Sequence, residues 1–479
     1  GYRNGSNRMS AELMKRADQV MAATYQRFPI ALEKGRGCNI WDTEGRSYTD
    51  FVAGIAVCNL GHAHPRIGEV ISRQAQTLLH VSNLYYTLPQ TELVAFLVKN
   101  SFADRVFFGN SGAEANEAAI KLARRYFKER GEENRFRIVT MERSFHGRTL
   151  ATLSATGQEK VRKGFDPVLD GFDFVPFNDE KALRSQIGPN TCAVMLEPIQ
   201  GEGGVCCPDE KYLQTVRTIC DETGTLLIFD EIQTGMGRTG ELFAYKHFGI
   251  EPDIMTLAKA LANGLPIGAM LARETIAAAF GPGSHASTFG GTPIVTAAAL
   301  EVCKLLVEAQ VIEKGKAAGS YFKEKLLELK GRHAIIEDVR GLGLLLGMKL
   351  KIDGAPIVKQ CMQNGFLINC IQERILRFIP PLIISREEID QLVESIKKMG
   401  LIHPLIVTEK FELLSGFRRL QACKELGMES VEVQVVEMGD DAVQKKDWEY
   451  HENIGRKDLS PDEQQRYHTF RESKTNFLQ

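Results

Sequence analysis

The sequence has no apolar run that approaches the ~18 residues of a membrane-spanning helix, and no signal peptide opens it. Its ten cysteines form no CxxC pair, which in a chain of 479 residues indicates reduced thiols rather than a disulfide framework. The formal net charge of −2 provides no general attraction for nucleic acid or an anionic membrane. These absences argue against membrane, disulfide-stabilised and nucleic-acid-packaging classes, and they predict a cytoplasmic protein.

Common metal and nucleotide motifs are also missing. The sequence contains no HExxH pair and no Walker loop. Residues 235–240 fit GxGxxG literally, but residues 230–234 separate them from the preceding strand and no ribose-binding acid follows at the expected distance. The sequence therefore predicts neither a metal site nor a dinucleotide site.

The length and the alternation of patterns predict an α/β fold with more than one domain. A chain of 479 residues exceeds what one hydrophobic core usually serves. Because helical patterns alternate with short β-rich runs, we expect a mostly parallel sheet covered by helices in a large domain at 61–295. The runs are 105–108, 137–139, 174–175, 192–196, 226–229 and 254–257. Residues 1–60 and 296–390 are expected to form a smaller α+β domain.

Two of these strands end beside one carboxylate and one amine. Asp230 follows the run at 226–229, and Lys259 lies just after the run at 254–257. Open α/β sheets bind ligands at the carboxyl ends of their strands, so both side chains are expected at one site. An amine can form a Schiff base with an aldehyde cofactor, and a carboxylate can keep a ring nitrogen protonated. The pair therefore predicts pyridoxal 5'-phosphate (PLP) chemistry.

Segments before this pair offer the other contacts that such a cofactor needs. A helix begins near Gly112, where free amides could bind a phosphate. Phe145 could stack on a planar ring, Arg148 could pair with a substrate carboxylate, and Glu197 stands at a strand end. Taken singly, each is explained as well by an ordinary helix cap, a core aromatic, a solvated arginine or a loop hydrogen bond.

Two further candidate segments lie nearer the C-terminus. A glycine-rich loop carries Ser287 and Thr288, whose hydroxyls could contact a phosphate. Arg377 stands in an otherwise apolar strand, and an unpaired buried charge is costly. A substrate carboxylate or Glu197 would serve as its partner.

In order and in combination, these segments resemble the class III, fold type I, PLP-dependent aminotransferases. The resemblance covers about residues 1–390. It implies the fold type I architecture, a homodimer with shared active sites, and PLP as cofactor. The matching stretches are NLGHAHP at 59–65, NSGAEANEAAIKLAR at 110–124, FHGRT at 145–149, EPIQGEGG at 197–204, LLIFDEIQTGMGRTG at 226–240, LAKALANGLPIGA at 257–269, STFGGTP at 287–293 and GFLINCIQERILRFIPPL at 365–382.

The resemblance also implies a role for each matching residue. Lys259 would hold PLP and move a substrate proton, and Asp230 would hold the ring nitrogen. Glu197 would pair with the carboxylate-binding arginine and swing away for the second substrate. The other implied cofactor contacts are Ser111, Gly112, Ala113, Phe145, His146, Glu231, Gln233 and, across the dimer, Thr288. The implied substrate contacts are Arg148, Glu197, Ser287 and Arg377.

The family acts on ω-amino compounds, and the resemblance points first to N2-acetyl-L-ornithine. With 2-oxoglutarate this substrate would give N-acetyl-L-glutamate 5-semialdehyde and L-glutamate, a step of arginine biosynthesis. Ornithine, 4-aminobutyrate and succinyl-diaminopimelate are the alternative substrates.

The last part of the chain, 386–479, carries a second resemblance. EEIDQLVESIKKMGLIHPLIV, LLSGFRRLQACKELG and HENIGRKDLSPDEQ are similar to the N-terminal domain of ParB-type proteins, many of which bind CTP. The usual opening strand of that domain is replaced by aminotransferase-like sequence, and residues 400–479 are net acidic, which argues against nucleic-acid binding. The alternative function is thus a CTP-binding regulator fused to an aminotransferase. Its implied nucleotide contacts are Gly416, Arg418, Arg419, Asn453 and Arg456.

Overall fold

The computed structural model describes residues 2–398, 405–408, 410–415, 420 and 433–436. Contacts divide the chain into two compact units. The first comprises Gly1–Gly331 and Ile336–Ser395, and the second comprises Arg332–Ile335 and Ile396–Gln479.

The strands and helices of the described residues follow one another closely along the chain. The strands are β1 Leu32–Arg36, β2 Asn39–Asp42, β3 Ser47–Asp50, β4 Arg105–Gly109, β5 Arg137–Met141, β6 Phe172–Val175, β7 Thr191–Leu196, β8 Leu226–Asp230, β9 Ile254–Leu257, β10 Gly268–Ala272, β11 Ile336–Leu342, β12 Leu345–Leu350, β13 Phe366–Leu367, β14 Asn369–Ile371, β15 Ile375–Phe378, β16 Leu405–Thr408, β17 Leu413–Ser415 and β18 Val433–Val436. The helices are α1 Tyr2–Val20, α2 Ala53–Ala56, α3 Pro65–Thr77, α4 Leu88–Asn100, α5 Gly112–Lys128, α6 Leu150–Ala155, α7 Glu159–Arg162, α8 Glu180–Gln186, α9 Tyr212–Thr223, α10 Glu274–Ala277, α11 Pro293–Glu308, α12 Val311–Arg332, α13 Ala355–Gln363 and α14 Arg386–Lys398, with 3-10 helices at Ala244–Phe248 and Lys259–Ala262. The short element α2 is a left-handed turn, because its four φ angles lie between +52° and +68°.

A seven-stranded sheet forms the centre of the first unit, in the order β4-β10-β9-β8-β7-β5-β6. Neighbouring strands are parallel except at β10, which pairs antiparallel with both β4 and β9. Strands β7 to β10 are buried at every residue, and such continuous apolar runs are typical of a sheet that is covered on both faces. The prediction of an α/β fold with a mostly parallel sheet is confirmed.

Helix α5 packs on this sheet along a stripe of small residues. Its buried residues include Ala118, Ala119, Leu122 and Ala123, which belong to one core with residues of strands β5, β7, β8, β9 and β10. Alanine gives the helix its high intrinsic propensity and lets the backbone come close to the strands. The helix start is therefore held at one edge of the sheet.

The first unit has two smaller sheets, and one of them combines strands from both ends of its sequence. One has the order β1-β2-β3-β13 and the other β11-β12-β15-β14. Strand β13 pairs parallel with β3, with Phe366 opposite Thr49 and Leu367 opposite Asp50. This pairing supports the proposal that residues 1–60 and 296–390 form one small domain.

The described part of the second unit contains a three-stranded sheet. Strand β16 pairs antiparallel with β17 and parallel with β18. Among the described residues of the whole chain, none of the helices combines the length and the apolar character needed to span a membrane.

Candidate active site

Asp230, the last residue of β8, lies at the centre of a buried hydrogen-bond network. Its Oδ2 accepts from Asn116 Nδ2 at 2.8 Å and lies 2.7 Å from His146 Nδ1, while its Oδ1 accepts from the amide of Ile232 at 3.0 Å. Asn116 Oδ1 accepts in turn from the hydroxyl of Thr256, in the neighbouring strand β9, at 2.7 Å. The orientation of the carboxylate is therefore fixed from several sides.

His146 is fully buried beside this carboxylate. Burial acts to lower the pKa of His146, but the hydrogen bond with Asp230 and the charges of Asp230 and Glu197 outweigh it and raise the pKa above its ordinary value. Its Nε2 is buried and has no partner within the described residues. A buried polar atom without a partner marks a position where a further polar group is required.

Lys259 opens a 3-10 helix immediately after β9. Its φ of +43° is in the left-handed region, which costs a residue with a side chain about 1–2 kcal/mol and is found mainly at functional sites. The other end of this helix is tied down by Asn263, which accepts from the amide of Leu60 at 2.9 Å and donates to the carbonyl of Gly61 at 3.0 Å. The surrounding structure thus holds Lys259 in a strained conformation.

The electrostatics of Lys259 favour the neutral amine. Burial lowers the pKa of Lys259, and the charge of Arg377 adds to this, whereas Glu202, Asp230 and Glu197 oppose it without reversing the direction. A neutral amine is the nucleophilic form that reacts with an aldehyde.

The start of α5 fits a phosphate group. Gly112 and Ala113 are the first residues of a 17-residue helix, so their amides have no acceptor within it. A Cβ on Gly112 would lie 2.8 Å from Ile232 Cδ1, and a Cβ on Gly268 would lie 2.0 Å from the carbonyl oxygen of Ser111. Glycine at 112 and 268 therefore lets this turn approach the exit of β8 closely, and free amides at a helix start bind anions.

Phe145 and Arg148 lie in the segment that follows β5. Because β5, β7 and β8 are parallel, this segment begins at the same edge of the sheet as Asp230. The Phe145 ring is half-buried, and the Arg148 guanidinium lies 5.6 Å from its centroid and is itself exposed. Gly147 between them has a φ of +140°, and a Cβ there would lie 2.5 Å from Thr152 Oγ1. The segment can therefore make its bend only with glycine at this position.

The charged partner of the buried Arg377 is Glu202. Arg377 is 1% exposed, and its Nη1 donates to Glu202 Oε1 at 2.5 Å and to Gln233 Oε1 at 3.3 Å. Burial acts to raise the pKa of Glu202, but the charges of Arg377 and then Lys259 bring it below its ordinary value. An ionised carboxylate thus covers the guanidinium.

The expected pairing of Glu197 with Arg377 is wrong. Both oxygens of Glu197 are taken by backbone amides, Oε1 by Phe145 at 3.0 Å and Oε2 by Gly201 at 3.2 Å. Glu197 is fixed at the end of β7, whereas Glu202 projects from the following loop and reaches the arginine. The stretch EPIQGEGG contains both glutamates, so the second one was a signal present in the sequence.

The expected contact of Glu231 with the cofactor is also corrected. Its carboxylate oxygens accept from the amides of Ala244 at 2.6 Å and Tyr245 at 2.7 Å. Burial raises the pKa of Glu231 to about 7. Its side chain therefore anchors the 3-10 helix Ala244–Phe248 and is not available to a ligand beside Asp230.

The loop with Ser287 and Thr288 lies near the start of α5. The Ser287 hydroxyl accepts from Asn110 Nδ2 at 3.2 Å and from the amide of Gly290 at 2.9 Å, which shapes the loop. Thr288 is exposed.

The predicted nucleotide contacts at Gly416, Arg418, Arg419, Asn453 and Arg456 lie outside the described residues. Within the described residues, no cluster of three His, Cys, Asp or Glu side chains that could hold a metal ion is found.

The sequence matches two protein-family models. The model of class-III aminotransferases matches residues 20–399, and the model of the ParB N-terminal domain matches residues 368–453. Among curated proteins, the acetylornithine aminotransferase of Caldanaerobacter subterraneus is 50% identical over 372 residues, which are 78% of this chain and 94% of that protein. The acetylornithine aminotransferase of Thermosynechococcus vestitus is 51% identical over 392 residues, 80% of this chain and 95% of that protein.

Solved structures show the same fold. The ornithine aminotransferase of Toxoplasma gondii, in a structure with partial occupancy of PLP at the active site, superposes with a TM-score of 0.80 at 34% identity over 84% of this chain and 96% of that chain. The acetylornithine aminotransferase of Elizabethkingia anophelis superposes with a TM-score of 0.74 at 32% identity over 82% of this chain and 99% of that chain.

Proposed function

The chain belongs to the class-III aminotransferase family, and from this premise we propose that it transfers the ω-amino group of N2-acetyl-L-ornithine to 2-oxoglutarate. The products are N-acetyl-L-glutamate 5-semialdehyde and L-glutamate. The enzyme depends on PLP, which when bound supplies an electron sink for the carbon that loses its proton. The relatives at 50% and 51% identity, both acetylornithine aminotransferases, support this choice of substrate over ornithine, 4-aminobutyrate or succinyl-diaminopimelate.

The residues of the site fit this cofactor. The amides of Gly112 and Ala113 would hold its phosphate, Phe145 would lie against its ring, and Asp230 would hold its ring nitrogen. Lys259 would bind it covalently, because burial favours its neutral amine. After release of that bond, Lys259 would also hold the proton that leaves the substrate carbon.

The ion pair of the buried Arg377 with the half-buried Glu202 is the observation that carries this proposal. The amino-bearing carbon of acetylornithine has no carboxylate, whereas the carbonyl carbon of 2-oxoglutarate has one next to it. A buried guanidinium needs an anion in both cases, since an unpaired buried charge is strongly destabilising. Glu202 would supply the anion for the first substrate, and the substrate carboxylate would replace it for the second.

Arg148 would hold the carboxylate at the far end of either substrate. The two substrates each carry such a group, separated from the reacting carbon by a short aliphatic chain. The exposed guanidinium beside Phe145 can form two parallel hydrogen bonds with a carboxylate. One arginine thus serves both half-reactions, and Glu202 distinguishes them.

Glu202→Gln is expected to impair only the half-reaction with the amino donor. Glutamine removes the negative charge that Glu202 places on Arg377 when acetylornithine binds, and kcat/KM for that substrate falls about 10- to 100-fold, as for a lost hydrogen bond to a charged group worth about 1.5–3 kcal/mol. The half-reaction with 2-oxoglutarate keeps or gains rate. Single-turnover kinetics of each half-reaction measures this, with the exposed Glu210→Gln as the matched control. We call this exchange of Glu202 and the substrate carboxylate on Arg377 the gate. An equal loss in both half-reactions would contradict it.

Substrate profiling tests the proposed activity itself. The purified enzyme is supplied with PLP and 2-oxoglutarate, and glutamate formation is followed with each of the four candidate donors. We expect the highest kcat/KM with N2-acetyl-L-ornithine. A tenfold higher value with any of the other three donors would overturn the substrate assignment.

We also propose that two copies of the chain form a dimer through an exposed apolar surface. This surface consists of Leu84, Tyr85, Tyr86, Leu88 and Phe289, which are between 61% and 101% exposed. The two loops that form it are joined, because Asn83 Nδ2 donates to the carbonyls of Ser287 at 3.2 Å and Gly290 at 2.8 Å. Apolar surface of this kind marks an interaction site. The loop also carries Thr288, which would contact the phosphate bound by the other copy.

Tyr86→Asp is expected to weaken this dimer. A buried aromatic side chain contributes about 150–250 Å² to an interface, and a charge in its place would be desolvated without a partner. Sedimentation velocity should show a dissociation constant raised on the order of 100-fold, equivalent to about 2.7 kcal/mol. Tyr25→Asp, an exposed tyrosine outside the surface, is the control and should leave the dimer intact. If Tyr86→Asp sediments as the unaltered protein does, the surface is not the interface.

For the segment that matches the ParB N-terminal domain, binding of CTP stays a prediction from the sequence.

A further inference from the structure

Glu197 is a buried carboxylate that faces backbone rather than substrate. It is 5% exposed at the end of β7, and its hydrogen bonds within the described residues come from the amides of Phe145 and Gly201. Burial, and then the charge of Asp230, raise its pKa, while the charge of His146 opposes them. A group held this way costs desolvation energy, so it is expected to do specific work at its position.

The two amides belong to different parts of the site. Phe145 begins the segment that faces the cofactor ring, and the next residue, His146, contacts Asp230. Gly201 directly precedes Glu202, the residue on Arg377. One carboxylate therefore links the ring-facing segment to the loop that carries the gate.

The loop that carries Glu202, residues 200–206, is the gate loop, and further contacts hold it in place. Gln200 and Cys206 exchange two backbone hydrogen bonds of 3.0 and 2.9 Å, and Gln372 Nε2 donates to the carbonyl of Glu202 at 2.8 Å. A Cβ on Gly201 would lie 2.2 Å from Gln233 Oε1, so the backbone touches a second partner of Arg377 here. Glu202 can then leave the arginine by rotation of its side chain while the loop backbone stays in place.

We propose that Glu197 is a positioning residue that holds the backbone amides of Phe145 and Gly201 in place. One carboxylate then determines both the placement of Phe145 against the cofactor ring and the placement of Glu202 on Arg377. This rests on the proposed function for the identity of the ring and the gate, but the two amide contacts are independent of it. A carboxylate suits the task because it offers two acceptors and no donor. Glutamine offers one acceptor, and its NH2 group would face the second amide donor.

Amide hydrogen exchange measures the positioning directly in the dimeric, PLP-loaded enzyme. We expect Glu197→Gln to accelerate exchange at Phe145 and Gly201 at least tenfold, and Glu202→Gln to leave exchange at Phe145 unchanged. Exchange at both amides within twofold of the unaltered enzyme would overturn the proposal. Should Glu197→Gln not fold, Glu197→Asp, which retains both acceptors on a side chain one methylene shorter, must accelerate exchange at one amide or both, and unchanged exchange again overturns the proposal.

Half-reaction kinetics separates positioning from substrate binding. Because both half-reactions use the cofactor ring that Phe145 would contact, Glu197→Gln is expected to lower kcat about tenfold or more in both half-reactions. Glu202→Gln is expected to impair the half-reaction with the amino donor alone. A rise in KM for one substrate, with kcat unchanged, would make Glu197 a substrate ligand and overturn the inference. If acetylornithine is not a substrate of the unaltered enzyme, the proposed function fails, while the exchange measurement still decides the role of Glu197.

Discussion

Lys259→Ala is expected to reduce turnover by at least about 10³-fold and to remove the visible absorption of the bound cofactor. The amine is the covalent anchor in the proposed mechanism, and burial, together with the charge of Arg377, favours its neutral form. No other side chain is expected to replace it, because its position depends on the strained φ of +43° that follows β9.

The effect of Lys259→Ala is checked by absorption spectroscopy and progress curves on the same preparation. The exposed lysine Lys246 provides the control, since Lys246→Ala makes the same change in charge and side-chain volume on an exposed side chain. Retention of more than a tenth of the turnover by Lys259→Ala would show that another group carries the chemistry.

Asp230→Asn is expected to lower kcat by about 10³-fold, or about 4 kcal/mol of transition-state stabilisation. The change removes the negative charge that would balance a protonated ring nitrogen. It also disturbs the network, because the new NH2 group must face either the Asn116 amide and the His146 ring or the amide of Ile232. Both half-reactions should lose rate equally, since both use the same ring.

The equality of the two losses separates Asp230 from the gate residue. Half-reaction rates and the dissociation constant of PLP are measured for Asp230→Asn and for the exposed control Asp209→Asn. We expect weaker cofactor binding only in the first variant. A loss below tenfold in kcat would mean that the carboxylate has a structural role alone.

The central sheet could be predicted closely because its strands are uninterrupted apolar runs. The run at 226–229 became β8, which extends one residue further so that Asp230 ends the strand itself. The run at 254–257 coincides with β9. Parallel strands place their carboxyl ends at one edge of a sheet. The order of the strands in the sequence was therefore enough to predict that Asp230 and Lys259 lie near one another.

The network around Asp230 was harder to foresee. Asn116 is fully buried within an alanine-rich stripe of α5, and Thr256 is fully buried in β9. A polar residue in a buried stripe is a signal, but the sequence does not state which partner it meets. Their link to Asp230 depends on the packing of α5 over β8 and β9.

The two glutamate errors have a common physical cause. Glu231 directly follows Asp230, yet it turns to the amides of Ala244 and Tyr245. Glu197 ends β7, yet Glu202 on the loop beyond it reaches Arg377. Proximity in sequence fixes the backbone position of a carboxylate but not the direction of its side chain, which depends on the donors that tertiary packing supplies.

Reductive trapping followed by peptide mapping shows directly whether Lys259 holds PLP. The purified enzyme is loaded with PLP, treated with borohydride, digested and analysed by mass spectrometry. We expect the reduced cofactor to be attached to Lys259 and the Lys259→Ala protein to carry none. Attachment to a different lysine, or no attachment in an enzyme that still transfers amino groups, would contradict it.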